Sequence, residues 1–101
     1  MNVVTVATDE TTGFTPGSIP RIGRGFRLQW EPVQKAHVLL YPEGMVKLNR
    51  TASEILSRCD GVKPVAAIVA ELEELFDQTG LDADVVAFLD LAWTQRWVEC
   101  T

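Results

Sequence analysis

Phe26-Arg27-Leu28-Gln29-Trp30-Glu31 alternates apolar and polar side chains, which is the period of a half-buried strand. Pro32 ends it, because proline brings no N–H to a ladder. His37-Val38-Leu39-Leu40-Tyr41 is apolar on both faces, as a central strand is. Pro42-Glu43-Gly44 reads as a tight turn, and Met45-Val46-Lys47-Leu48 resumes the alternation. The simplest arrangement is a three-stranded antiparallel meander with the second strand in the middle. The third strand then lies on an edge, with Lys47 as its only guard against pairing.

Three helices are expected after the meander. Thr51-Ala52-Ser53-Glu54 matches a capping box, with Thr51 as N-cap and Glu54 reaching back. Ala52, Ile55, Leu56 and Cys59 form the buried stripe of this first helix, which Gly61 stops. Pro64 suits the first turn of the second helix. That helix turns Val65, Ile68, Val69, Leu72, Leu75 and Phe76 inward and ends at Thr79-Gly80. In the third helix Asp82 is the expected cap, and Asp84 suits the positive helix end. Val85, Phe88, Leu89 and Ala92 make one apolar face; Val86, Trp93 and Trp97 make a second, offset by about 100°. A helix lying on a small sheet needs one stripe only. The second face either wraps the rim of a thin core or receives a partner.

Upstream, residues 1–24 read as a flexible tail or linker: six Thr and Ser and two Pro in no periodic order, although Val3, Val4 and Val6 could add a short edge strand. The chain of 101 residues is one domain by length, and 47% hydrophobic and 23% charged residues is globular composition. Its net charge of -5 argues against binding nucleic acid or anionic lipid through bulk electrostatics. The acidity is concentrated in residues 51–101, with ten acids against three bases. No apolar run is long enough to span a membrane, and Met1 to Glu10 lacks the basic start of a secretory signal. Two cysteines make no disulfide scaffold, and a reducing cytoplasm is the expected compartment.

No catalytic constellation emerges, and an enzyme is not expected. His37 is the only histidine and lies in a strand; Cys59 falls on a buried stripe. Cys59 and Cys100 lack metal-ligand spacing, so no metal site is expected. No glycine-rich phosphate loop occurs, and Glu71, Glu73, Glu74 and Asp77 read as a solvated helix side. What remains is an edge strand beside a helix with spare apolar surface, the geometry for adding a peptide strand to a sheet.

Specific motifs add to this reading. Arg27-Leu28-Gln29-Trp30-Glu31-Pro32-Val33-Gln34 and Val38-Leu39-Leu40-Tyr41-Pro42-Glu43-Gly44-Met45-Val46 resemble the PqqD family, the pyrroloquinoline quinone (PQQ) biosynthesis proteins D. The similarity continues through Leu48-Asn49, Ala52, Glu54-Ile55-Leu56, Cys59-Asp60-Gly61, Asp84-Val85, Phe88-Leu89 and Trp97, and covers residues 25–98. The resemblance implies an α+β, winged-helix-like domain over residues 25–101, a RiPP recognition element with a three-stranded antiparallel sheet followed by three helices. It implies a cytoplasmic peptide chaperone, without cofactor, that binds the precursor peptide PqqA and presents it to the radical SAM enzyme PqqE, which cross-links a Glu and a Tyr of PqqA. The peptide would lie on Met45, Val46, Lys47 and Leu48 of the third strand, beside Val86, Leu89, Asp90, Trp93 and Trp97 of the third helix. Some members are fused behind the enzyme PqqC, which makes residues 1–24 the linker of such a fusion. Two stretches depart from the family pattern: Gln95-Arg96 stand where a glycine is expected before Trp97, and Lys63-Pro64 where a threonine starts the helix. Two alternatives stand beside this reading. A winged-helix DNA-binding protein needs basic residues on its reading helix, and the third helix offers Arg96 against Asp82, Asp84, Asp90 and Glu99. A structural interaction module would instead bury the third helix in another protein.

Overall fold

The structure is a computed structural model that describes residues 13–100. Strands β1 (Pro20–Ile22), β2 (Arg27–Glu31), β3 (Ala36–Tyr41) and β4 (Gly44–Lys47) come first. Helices α1 (Arg50–Ser57), α2 (Val65–Phe76) and α3 (Asp82–Thr94) follow, and β5 (Val98–Cys100) is last. The expected meander forms, with order β2-β3-β4 and both pairings antiparallel. Leu28, Leu39 and Val46 stand side by side across it and face the core, where Leu39 is fully buried. α1 packs on β3, α2 on α1, and α3 on α2 and β5. Ile55, Leu56, Ile68, Leu72 and Leu89 fill the space between them.

The helix starts differ from expectation. α1 is capped by Asn49, whose side-chain oxygen accepts the Ala52 N–H at 2.8 Å, and Thr51 already lies inside the helix. Asparagine two residues earlier is as good a cap, and Glu54 is thereby free to pair with Arg58 at 2.8 Å. α3 begins at Asp82 with no side-chain cap; Asp82 and Asp84 instead place negative charge in its first turn. Glu71 is not merely solvated: it bridges Arg58 at 3.0 Å and Lys63 at 3.0 Å, and these cations hold its carboxyl below the usual range, Lys63 most.

α2 also lacks a side-chain cap. Its orphan N–H groups are met from a distance: Val65 donates to the Ser18 carbonyl at 2.8 Å and Ala66 to that of Pro16 at 2.9 Å. This corrects the reading of residues 13–24 as a tail. Phe14 is buried in the core, edge-on to Trp93 with ring centroids 6.0 Å apart. Pro20–Ile22 pairs with Val98–Cys100 as a second, two-stranded ribbon. The folded unit therefore begins ahead of residue 25. Residues 1–12, the rest of the expected tail, including the apolar start at Val3 to Val6, lie outside the described residues.

Candidate functional site at the β4 edge

The hydrogen-bonding phase of β4 follows from one contact. The Leu48 N–H donates to the His37 carbonyl at 3.1 Å, so these residues form a bonded pair. Antiparallel pairs alternate between bonded and non-bonded. With Leu39 opposite Val46 and Leu40 opposite Met45, Val46 turns its backbone groups to β3, and Met45 and Lys47 turn theirs outward. Among the described residues nothing pairs with that edge. Val46 packs on the core from this strand, while Met45 is 52% exposed and Lys47 is exposed on the opposite face. The Leu48 side chain is buried in the core, so it holds the end of the strand rather than presenting itself to a ligand.

The α3 residues divide in the same way. Leu89 is fully buried with Val85 and Ala92, and forms the backing of the helix face. Val86, Asp90 and Trp93, spaced four and three residues apart, share one flank. Val86 is half-buried and Trp93 is 44% exposed. One Asp90 carboxylate oxygen is buried without a hydrogen-bond partner, and burial raises the pKa of this group.

Trp97 does not share this flank. α3 ends at Thr94, and the Trp97 N–H bonds to the Ala92 carbonyl at 2.8 Å while that of Arg96 bonds to Trp93 at 2.9 Å. This is a Schellman closure with Arg96 in the left-handed position, φ 68°. It carries the Trp97 ring to Phe88, at 6.5 Å, about 140° around the helix from Trp93 at ~100° per residue. A helical projection extended past Thr94 could not foresee this.

Between the segment leading into β2 and the end of α3 lies a cavity of about 690 Å³, lined among others by Arg24, Phe26, Trp93, Arg96 and Glu99. Phe26 packs on Tyr41 with ring centroids 5.6 Å apart. Glu99 is engaged at both oxygens, by the Arg24 backbone N–H at 2.8 Å and by Arg21 at 2.9 Å. These donors, the backbone one first, hold its carboxyl below the usual range. Nothing local in the sequence ties Arg24 and Phe26 to Trp93, beside which they line this cavity.

Other reactive groups are occupied by structure. The Cys59 thiol is buried, donates to the Ile55 carbonyl at 3.3 Å, and is pushed up to about 12 by burial and by Asp60. His37 lies edge-on to Trp30 at 5.2 Å. Among the described residues no group of three or more His, Cys, Asp or Glu could hold a metal ion, and no helix is long and apolar enough to cross a membrane.

A three-stranded antiparallel sheet with an open edge, followed by three helices, is the architecture of a small α+β domain of the winged-helix-like class. Residues 36–98 match the family model of coenzyme PQQ synthesis protein D, and the chain belongs to this PqqD family. It is 58% identical over 83 residues to a PqqA binding protein of Pseudomonas aeruginosa, covering 81% of this chain and 90% of that one. It is 54% identical over 86 residues to that of Azotobacter vinelandii, covering 84% and 94% respectively. Among solved structures it is similar to the PqqD truncation of Methylobacterium extorquens PqqCD, described as a functional, stand-alone RiPP recognition element. There the TM-score is 0.73 at 33% identity, covering 89% of this chain and 98% of that one.

Proposed function

We propose that the protein binds the precursor peptide PqqA in PQQ biosynthesis as an added strand on β4, and presents it to the radical SAM enzyme PqqE. It is a binding protein, not an enzyme, and works in the cytoplasm. The observation that carries this reading is the outward backbone of Met45 and Lys47 on a strand with no second neighbour. Met45, Val46 and Lys47 supply the strand. Val86, Asp90 and Trp93 supply a flank on which peptide side chains rest. Leu48, Leu89 and Trp97 support these surfaces from within. Relatives named for PqqA binding, at 54% identity and above, support the choice of peptide. α3 carries Asp82, Asp84 and Asp90, a charge pattern that repels a phosphate backbone.

The test exploits the phase of the strand. Lys47→Pro deletes an outward N–H and should weaken binding of a synthetic PqqA peptide about tenfold or more with the fold retained. Val46→Pro deletes a bond to β3 and should destabilise the sheet itself. Backbone amide shifts on titration should centre on Met45 and Lys47. Shifts centred on Leu28 and Trp30, the outward residues of the other sheet edge, would reject the β4 site, as would parent-like binding by Lys47→Pro.

A further inference from the structure

Residues 13–18 fix the place from which the chain ahead of them starts. The Phe14 ring is buried in the core, edge-on to Trp93 with centroids 6.0 Å apart. Behind it the Ser18 hydroxyl accepts the Thr15 N–H at 3.0 Å, and the carbonyls of Pro16 and Ser18 take the Ala66 and Val65 N–H groups of α2. Ahead of it Gly13 is exposed at φ 62°, a left-handed conformation that glycine adopts freely, so the chain changes direction there. Residues 1–12 are thus tethered beside Trp93, whose indole is half-exposed and shares the α3 flank with Val86 and Asp90.

The composition of that segment suits an open strand edge. Val3-Val4-Thr5-Val6-Ala7-Thr8 is made of β-branched residues but for one alanine, and holds no Pro or Gly. In an extended chain Val4 and Val6 share one side, and Thr5 and Ala7 the other. The five residues from Asp9 to Gly13 join this stretch to Phe14 and reach ~17 Å at ~3.4 Å each. The flank of α3 from Trp93 to Val86 is only ~10 Å long at ~1.5 Å per residue. The tether is therefore longer than the flank along which the stretch would lie. β4, for its part, has no neighbour on its outer side among the described residues.

We propose that Val3–Thr8 occupies the place of the precursor peptide, as a strand on the β4 edge with Val4 and Val6 against Val86 and Trp93, and so acts as a built-in competitor. This rests on the strand-addition reading for the position of the site. A tether this short holds the stretch at an effective concentration of about millimolar, so a contact too weak to form between separate molecules is populated within one. The peptide must displace it, and its apparent affinity falls in proportion to the fraction of chains whose edge is open. Between encounters with the peptide the same contact shields the edge from pairing with other chains, which Lys47 alone guards otherwise.

The test uses the whole chain carrying Val4→Lys/Val6→Lys, two positions outside the described fold. Synthetic PqqA peptide should bind this variant about threefold tighter than the parent, or more. Without PqqA, the backbone amide shifts of Met45 and Lys47 should differ between variant and parent. A synthetic peptide of residues 1–12, added to the variant at about millimolar concentration, should move them back. Unchanged shifts at Met45 and Lys47 overturn the proposal, as do differences confined to Leu28 and Trp30 on the other sheet edge. Unchanged affinity in a protein whose Met45 and Lys47 amides respond to PqqA overturns it too: strand addition then stands and the competitor falls. A parent that sediments as a dimer, which the two substitutions dissociate, overturns it because the stretch then pairs between copies. If the substitutions move the Met45 and Lys47 amides and PqqA does not, the peptide's place on β4 is what fails, and Val3–Thr8 still holds the edge.

Discussion

The protein holds two small sheets of opposite character. The β2-β3-β4 meander is built from neighbours in sequence, turns one face to the core and leaves the β4 backbone open. The β1–β5 ribbon joins residues far apart in sequence, Arg21 and Glu99 lying 78 positions apart, and engages both carboxylate oxygens of Glu99. The first sheet leaves backbone hydrogen-bonding groups open; the second joins the two ends of the described fold and sets Arg24, Trp93 and Arg96 around one cavity. If β4 takes the peptide as proposed, damage to the ribbon should be separable from damage to binding.

The largest expected effect tests whether the segment leading into the ribbon is scaffold. Phe14→Ala should cost about 3 kcal/mol in urea unfolding, because a buried ring is lost from beneath Trp93. A cost under about 0.5 kcal/mol would return residues 13–19 to the status of a tail. Next, Gly23→Ala forces a methyl group against the Arg96 carbonyl and should cost about 1–3 kcal/mol. The folded fraction should still take peptide backbone on β4, which amide shifts at Met45 and Lys47 would report. Loss of those shifts would show that the two sheets are not independent.

A smaller effect has the opposite sign. Arg96→Gly relieves a left-handed arginine and should stabilise the fold by about 0.5–1 kcal/mol in urea unfolding, with peptide affinity unchanged. A more stable variant with parent-like binding would show that this turn belongs to the scaffold. The smallest effect is on pH dependence. Glu99 has a depressed carboxyl pKa, so it contributes stability above the ordinary glutamate value near ~4.3, and loses that contribution as pH falls through its lower folded value. Acid melts should therefore show less stability loss between about pH 5 and 3 in Glu99→Gln than in the parent.

The meander and helices were legible because their signals are local. Period two in Phe26 to Glu31, the turn at Pro42-Glu43 and the inward stripe from Val65 to Leu72 each need only a few neighbouring residues. The ribbon was not, since strands of three residues have no period and their pairing is non-local. The capping carbonyls of Pro16 and Ser18 are likewise backbone atoms, which carry no sequence signature. The open edge of Met45 to Lys47 follows from the meander, and the shared flank of Val86 and Trp93 from helical spacing. The same spacing put Leu89 on the core face with Val85 and Ala92, where it is buried; its place, and that of Asp90, among the peptide contacts came from the family resemblance. Trp97 was misplaced because the helix was extended across the Schellman turn. The departure from the family pattern at Arg96 was visible, but its meaning required the backbone angle.

The ribbon also orders events in time. Closing a loop of 78 residues costs more chain entropy than closing any hairpin of the meander, and that cost is met before the pairing returns anything. The meander and the helices can therefore assemble first, with the ribbon as the final latch. During synthesis β5 emerges after the other described elements, so Pro20–Ile22, already held at Gly61 and Asp60, waits for Val98–Cys100 to complete its pairing. Until the latch closes, the β4 edge already exists while the arginine cavity does not. The open strand edge is thus complete before the ribbon that ties the first described strand to the last.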